Sequence, residues 1–192
     1  MTQFPALAPD ALTALANGTN RDPFAVLGPH PDESGRGIRV RAFHPAARAI
    51  ALRLAATGEL LPMTERSPAG IFDVVIADSQ PSTLYYRLRL TFPGGHVVET
   101  DDPYRYGRVL GDFDLHLFGE GRHQRIFDKL GAHRITVGST TGVHFAVWAP
   151  NADRVSVIGD FNGWDGRVHA MRLLVPAGIW EIFLPDLEDG EK

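Results

Sequence analysis

Residues 37–52, GIRVRAFHPAARAIAL, align without a gap to residues 142–157, GVHFAVWAPNADRVSV. Each block has a Gly, an alternating apolar run, an aromatic, one residue, a Pro, and then a second alternating run. Val143, Phe145 and Val147 take the places of Ile38, Val40 and Ala42. Trp148 takes that of Phe43, Pro150 of Pro45, Val155 of Ile50, and Val157 of Leu52. Further on, AGIFDVVI (69–76) matches AGIWEIFL (177–184). The offset is 105 residues in the first match and 108 in the second, so three extra residues fall between 159 and 178. A period this long is not that of a solenoid and means two related modules in tandem.

The alternation within the blocks fixes the class of module. Ile38, Val40 and Ala42 share one strand face, and Ile50, Leu52 and Leu54 share another. IFDVVI (71–76) and STLYYRLRL (82–90) also read as strands, and TFPGGHVVET (91–100) as a hairpin turning at Pro93-Gly94-Gly95. Short strands between Gly/Pro turns indicate a sandwich. Asp10 before ALTALA, with Asn17-Gly18 after it, reads as a short helix with an N-cap and a Gly stop. Residues 101–133 carry the one long stretch of helical spacing, with apolar Leu115, Phe118, Ile126, Phe127 and Leu130; Gly119 and Gly121 break it and Gly131 ends it. The fold expected is mainly β: two tandem immunoglobulin-like β-sandwich modules joined by a helical linker, the second incomplete. The expected division is an N-terminal helix and extension (1–20), a first sandwich (21–101), the linker (102–133) and a second sandwich (134–192). After AGIWEIFL only PDLEDGEK follows, so the second module lacks the closing strands of the first. An unpaired apolar edge is an aggregation hazard, and the chain is expected to be the N-terminal piece of something longer.

Composition removes several function classes. The 192 residues have a formal net charge of −4 and no cysteine, which excludes disulfides and thiolate chemistry. The basic charge is scattered Arg, with Lys129 and Lys192 the only lysines, so no nucleic-acid patch is expected. No apolar run reaches membrane-spanning length and no signal-type start is present, which fits a cytoplasmic location.

Four stretches, RDPFAVLGPHP (21–31), DPYRYGRVLGDFDLHLFGEGRHQRIFDKLGAH (102–133), GVHFAVWAPNADRVSVIGDFNGWDG (142–166) and GIWEIFLPDLEDGEK (178–192), closely resemble the N-terminal region of bacterial 1,4-α-glucan (glycogen) branching enzymes. The resemblance covers nearly everything beyond residue 20. It implies a first sandwich, then a starch- and glycogen-binding module, then an α-amylase-type barrel. In that family the barrel carries the chemistry: two carboxylates cut an α-1,4 segment and rejoin it to a 6-hydroxyl with retention. None of the barrel motifs occurs in these residues, so this chain by itself is not expected to catalyse and has no catalytic residue to assign. The implied partners are α-glucan (glycogen) and the catalytic barrel of the same polypeptide, with no cofactor, nucleic acid or membrane, and a monomer is expected. A rival reading is a non-catalytic glucan-binding or adaptor protein; another is a sandwich pair with no ligand.

The candidate sites follow from chemistry in unusual places. Sugars offer an apolar C–H face and hydroxyls, which suit an exposed aromatic with polar neighbours. Trp164 with Asn162, Asp160 and Asp165 has that composition. Trp164 reads either as such a platform or as a cap folded over the sandwich end. Trp180 shares phase with Ile182 and Leu184, aligns with Phe72, and reads as core. Trp148 and its counterpart Phe43 have the opposite phase to their apolar strand faces, so both read as interface residues facing a barrel, the linker or the sister module. A bulge before Pro150 would instead turn Trp148 inward. The eight histidines show no metal-ligand spacing, and no metal site is expected. Asp101-Asp102 before Pro103 read as a turn, and 28–37, GPHPDESGRG, as a loop without phosphate-loop spacing.

Overall fold

The computed structural model describes residues 9–79, 84–188 and 190–192. Residues 1–8 of the expected N-terminal extension and 82–83 of the expected strand 82–90 lie outside the described residues. The chain divides into two compact units, Met1–Arg105 and Tyr106–Lys192.

Among the described residues of the first unit, α1 (Pro9–Ala16) precedes eight strands. Asp10 lies in its first turn rather than at the N-cap. Gly18 at φ 69° turns the chain out of the helix, with its N–H donating to Leu15 O at 2.9 Å. The strands are β1 (Gly28–Pro31), β2 (Gly37–Phe43), β3 (Ala49–Leu54), β4 (Leu60–Pro62), β5 (Thr64–Arg66), β6 (Ile71–Ala77), β7 (Tyr86–Thr91) and β8 (Val97–Thr100). They form two antiparallel sheets, β1-β2-β6-β5 and β4-β3-β7-β8. Ile38, Val40, Ala42 and Phe72 of one sheet meet Ile50, Leu52, Leu88 and Leu90 of the other in a single core. The alternation read from the sequence is the alternation of this sandwich. The segment expected as a loop at 28–37 contains β1. Pro29 and Pro31 are accommodated there because β1 is an edge strand, where a missing N–H breaks no ladder.

Asp101 and Asp102 lead into a 3-10 turn at Pro103–Arg105, in keeping with the turn reading, and both are buried. Arg105 donates to Asp101 through Nε and Nη2 at 2.6 and 2.8 Å. Tyr86 O–H donates to Asp102 Oδ2 at 2.6 Å, and the Tyr104 N–H to Oδ1 at 2.9 Å. Burial pushes the Asp102 carboxyl up to about 6, against the pull of these two hydrogen bonds.

The second unit contains α2 (Asp112–Gly119), β9 (Gly131–Val137), β10 (Thr140–Trp148), β11 (Arg172–Leu174) and β12 (Ile179–Pro185). Among the described residues it has one sheet, β11-β12-β10-β9. Its central pair repeats the register of the first unit. Phe43 pairs with Ile71 and Ile38 with Ile76; Trp148 pairs with Ile179 and Val143 with Leu184, the same positions by the sequence alignment. The shared Gly and Pro have a common reason. A Cβ on Gly70 would stand 3.0 Å from Pro45 Cα, and one on Gly178 2.7 Å from Pro150 Cβ, both glycines having positive φ. The counterpart of β3 is reduced to a bridge between Ser156 and Ala170, flanked by bonds from Val157 N–H to His169 O and from Met171 N–H to Val155 O.

Residues 106–133, expected as a linker, belong to the second unit. Their helical content is α2 and a short turn at Ile126–Asp128, and β9 begins inside the segment. The reason is packing: Leu110, Leu115, Phe118 and Leu130 join Ala146, Leu174 and Ile179 in one cluster. At its centre is Glu181, with 0% exposure. Its Oε1 accepts from Val109 N–H (3.2 Å) and Arg172 Nε (3.1 Å), and its Oε2 from Leu110 N–H (3.0 Å) and His144 Nε2 (3.1 Å). Burial pushes this carboxyl up, but the His144 bond, the Leu110 N–H and the Arg172 charge outweigh it and hold it below its usual range.

The two acids give opposite pH dependences. The raised pKa of Asp102 contributes stability below its unfolded value of 3.8 that is lost as pH rises through about 6. The difference is on the order of 3 kcal/mol. Asp102→Asn keeps an acceptor for Tyr86 without the charge, so the variant should gain relative to the parent chain between pH 4 and 7, as read by urea unfolding of the first unit. Glu181 has a depressed pKa, and its contribution is lost as pH falls below about 4.5. Glu181→Ala removes the buried carboxylate partner of His144 and Arg172, leaves Arg172 only its bonds to the Tyr106 and Gly107 carbonyls, and is expected to cost about 3–5 kcal/mol. Amide exchange at Val109 and Leu110 in the variant should rise to that of an unprotected segment; retained protection would show that the carboxylate does not hold the segment.

Candidate functional site

The three extra residues of the second module lie in the interval that builds a compact loop after Val157. A 3-10 turn spans Asp160–Asn162, and Gly163 follows in the left-handed region. Asn162 ties the loop shut. Its Oδ1 accepts from Gly159 N–H at 2.9 Å, and its Nδ2 donates to Val157 O at 2.9 Å and to His169 Nδ1 at 3.0 Å. That last bond places the His169 proton on Nε2. The Phe161 ring lies 5.7 Å from the His169 ring.

This scaffold delivers Trp164 to the surface. Its backbone stands at φ 61°, a conformation that costs a non-glycine residue about 1–3 kcal/mol. Trp164 N–H donates to Gly159 O at 2.9 Å, and its indole Nε1 donates to Asp160 Oδ1 at 2.9 Å. The indole edge is thereby fixed while the side chain stays 57% exposed. A strained backbone that presents a fixed, open aromatic face suits a stacking platform.

The four residues expected to act together take different roles. Trp164 and Asp160 are exposed, joined by their hydrogen bond. Asn162 is 7% exposed and has its amide committed within the loop, where it positions the turn. Asp165 is half-buried and accepts from Arg167 N–H, Nε and Nη2, the last at 2.7 Å. Both arrangements share a cause: short polar side chains in a tight turn satisfy the backbone first.

The paired aromatics diverge. Trp148 is 56% exposed and meets Phe118 of α2 edge-on, ring centres 6.0 Å apart. Phe43, expected on an outer face, is buried at 6% with its ring against Gly70. Trp180 is fully buried, with Nε1 donating to Ala149 O at 3.0 Å. Beside Trp148, Phe145, Val147, Val155, Val157, Ile158 and Met171 line an apolar groove of about 560 Å³. Several histidines have structural partners: His30 bonds Leu27 O, His133 bonds Leu130 O and His123 bonds Asp114.

Glu181, His144 and Arg172 were not singled out from the sequence, although their types and geometry resemble a catalytic group. Complete burial of Glu181 closes it to substrate, and its oxygens are taken up by His144, Arg172 and two backbone N–H groups. A signal existed in the strand itself, where Glu181 takes the face opposite Trp180, Ile182 and Leu184.

The family described as alpha-1,4-glucan branching enzyme GlgB, N-terminal domain, matches residues 8–104. Carbohydrate-binding module 48 (isoamylase N-terminal domain) matches residues 129–192. A 1,4-alpha-glucan branching enzyme GlgB 2 of Rhizobium etli is 48% identical over 184 residues, covering 95% of this chain and 24% of the relative. That of Paramagnetospirillum magneticum, named 1,4-alpha-glucan branching enzyme GlgB, is 52% identical over 177 residues, covering 92% and 23%. The chain thus spans about a quarter of the length of the curated relatives it matches. It belongs to the GlgB N-terminal domain family, with a carbohydrate-binding module 48 as its second part.

Proposed function

We propose that this chain is the glucan-binding, non-catalytic N-terminal portion of a 1,4-α-glucan branching enzyme. The parent activity is cleavage of α-1,4-glucan segments and their transfer to 6-hydroxyls, forming branches during glycogen synthesis in the cytoplasm. The names of the relatives support the activity, and the matching carbohydrate-binding module supports glucan as the ligand. The observation that carries the binding role is the exposed indole of Trp164, locked by Asp160. Stacking of a glucose ring needs the open face, and Asp160 keeps a second carboxylate oxygen for a hydroxyl. The groove beside Trp148 is too apolar for a sugar and suits docking of the barrel of the same polypeptide.

Co-sedimentation of the 192-residue chain with glycogen tests the platform. Trp164→Ala is expected to weaken retention about tenfold, equivalent to roughly 1.4 kcal/mol. Trp164→Phe keeps a ring face and should fall between the two. Asn162→Ala should reduce retention by loosening the loop, with a matching loss of amide protection at Gly159. Equal retention of the parent chain and Trp164→Ala would remove the platform reading.

A further inference from the structure

The outer face of the first sheet carries a charge imbalance that its counterpart in the second unit lacks. By the repeat, Asp73 matches Glu181, Arg39 matches His144, Arg41 matches Ala146 and Arg66 matches Leu174. In the second unit one carboxylate is balanced by Arg172, His144 and two backbone N–H groups. In the first unit three guanidiniums surround Asp73. Arg39 Nη1 donates to Asp73 Oδ2 at 2.9 Å, and Arg66 Nε and Nη2 donate to Oδ1 at 2.9 and 2.8 Å. Arg41 pairs directly across the strands with Asp73, yet both carboxylate oxygens are taken by the other two arginines.

Two donors are thereby left over. Arg39 Nε is buried with no hydrogen-bond partner. Among the described residues, no hydrogen bond or ion pair is formed by the Arg41 guanidinium. Burial, and then the neighbouring Arg39 charge, push the Arg41 pKa down. Asp73 and Glu33 are the acids that act on Arg41, Arg39 and Arg66 the like charges; Glu33 is exposed, and His30 pairs across the strands with Arg39. A buried donor without a partner is unfavourable, and crowding guanidiniums adds to the cost. Both costs are relieved by an oxyanion bonded to Arg39 Nε and Arg41. Arg66, 46% exposed, lies at the open rim. Three guanidiniums against Asp73 leave two formal positive charges, the complement of a phosphate dianion, whose oxygens suit guanidinium forks.

We infer that the outer face of the first sheet binds a phosphate group through Arg39 and Arg41, with Arg66 at its rim. The group is supplied either as free phosphate or as a phosphate ester on a sugar. The test titrates the 192-residue chain with inorganic phosphate, glucose 6-phosphate, acetate and chloride at pH 7.5 and constant ionic strength. The readout is the Nε–H resonances of Arg39 and Arg41. Saturable shifts at both with the two phosphates, and none with chloride or acetate, are expected. Tighter binding of glucose 6-phosphate identifies the ester as the source, and equal binding the free ion. By calorimetry, Arg41→Ala, the residue of the sister module, should weaken phosphate binding at least tenfold, while Arg41→Lys should retain part of it. Non-saturable shifts, equal shifts with acetate or chloride, or unchanged affinity in Arg41→Ala would overturn the inference. The titration of the parent chain decides the question even if a variant fails to fold.

Discussion

A carboxylate buried on a sheet must find donors, and this need shapes the second unit. Glu181 stands on the face of β12 opposite the apolar row Trp180, Ile182 and Leu184, in the middle of the sheet and away from water. Side chains on neighbouring strands supply His144 and Arg172, and the remaining capacity is met by the backbone of Val109 and Leu110. Those two N–H groups draw residues 106–119 onto the sheet, where Leu110 and Phe118 join its apolar cluster. Both faces of β12 are buried as a result, one by this segment and one by residues that follow β10.

The same logic operates in the loop after Val157. The amide of Asn162 is spent on Gly159, Val157 and His169, which leaves a turn rigid enough to hold Trp164 in a left-handed conformation. Within one short motif, the buried polar residue stabilises and the exposed aromatic is available for recognition. Asp160 serves both ends, by starting the turn and by fixing the indole.

Much of the fold was legible because alternation and repetition are local properties of the chain. The strand phases of Ile38 and Ile50, the burial of Trp180 and the equivalence of the two modules all appear in the structure. The shared Gly and Pro were readable as landmarks, and their close approach explains why both modules have them. The edge strands β1, β4, β5 and β11 were not readable, since each is short and carries no clear alternation. At the candidate site, Trp164 was picked out by composition, but its exposure and the separation of its role from those of Asn162 and Asp165 were not legible. Turn residues of the same type contact either ligand or backbone depending on geometry that emerges only when the loop closes.

Phe43 and Trp148 mark the boundary most clearly. The sequence by itself determined that both occupy one position of a repeated strand, opposite the sandwich core, because side-chain phase is set by a period of two. It also determined the repeat that makes two related modules, whereas the strand register and the Gly-Pro approach came from the structure. What covers the outer face at those positions was decided by tertiary structure. Phe43 is buried, while Trp148 meets the edge of Phe118 and stays 56% exposed. The reason is physical: phase is a property of a strand alone, whereas burial depends on which distant segment finds donors and apolar contacts on that face.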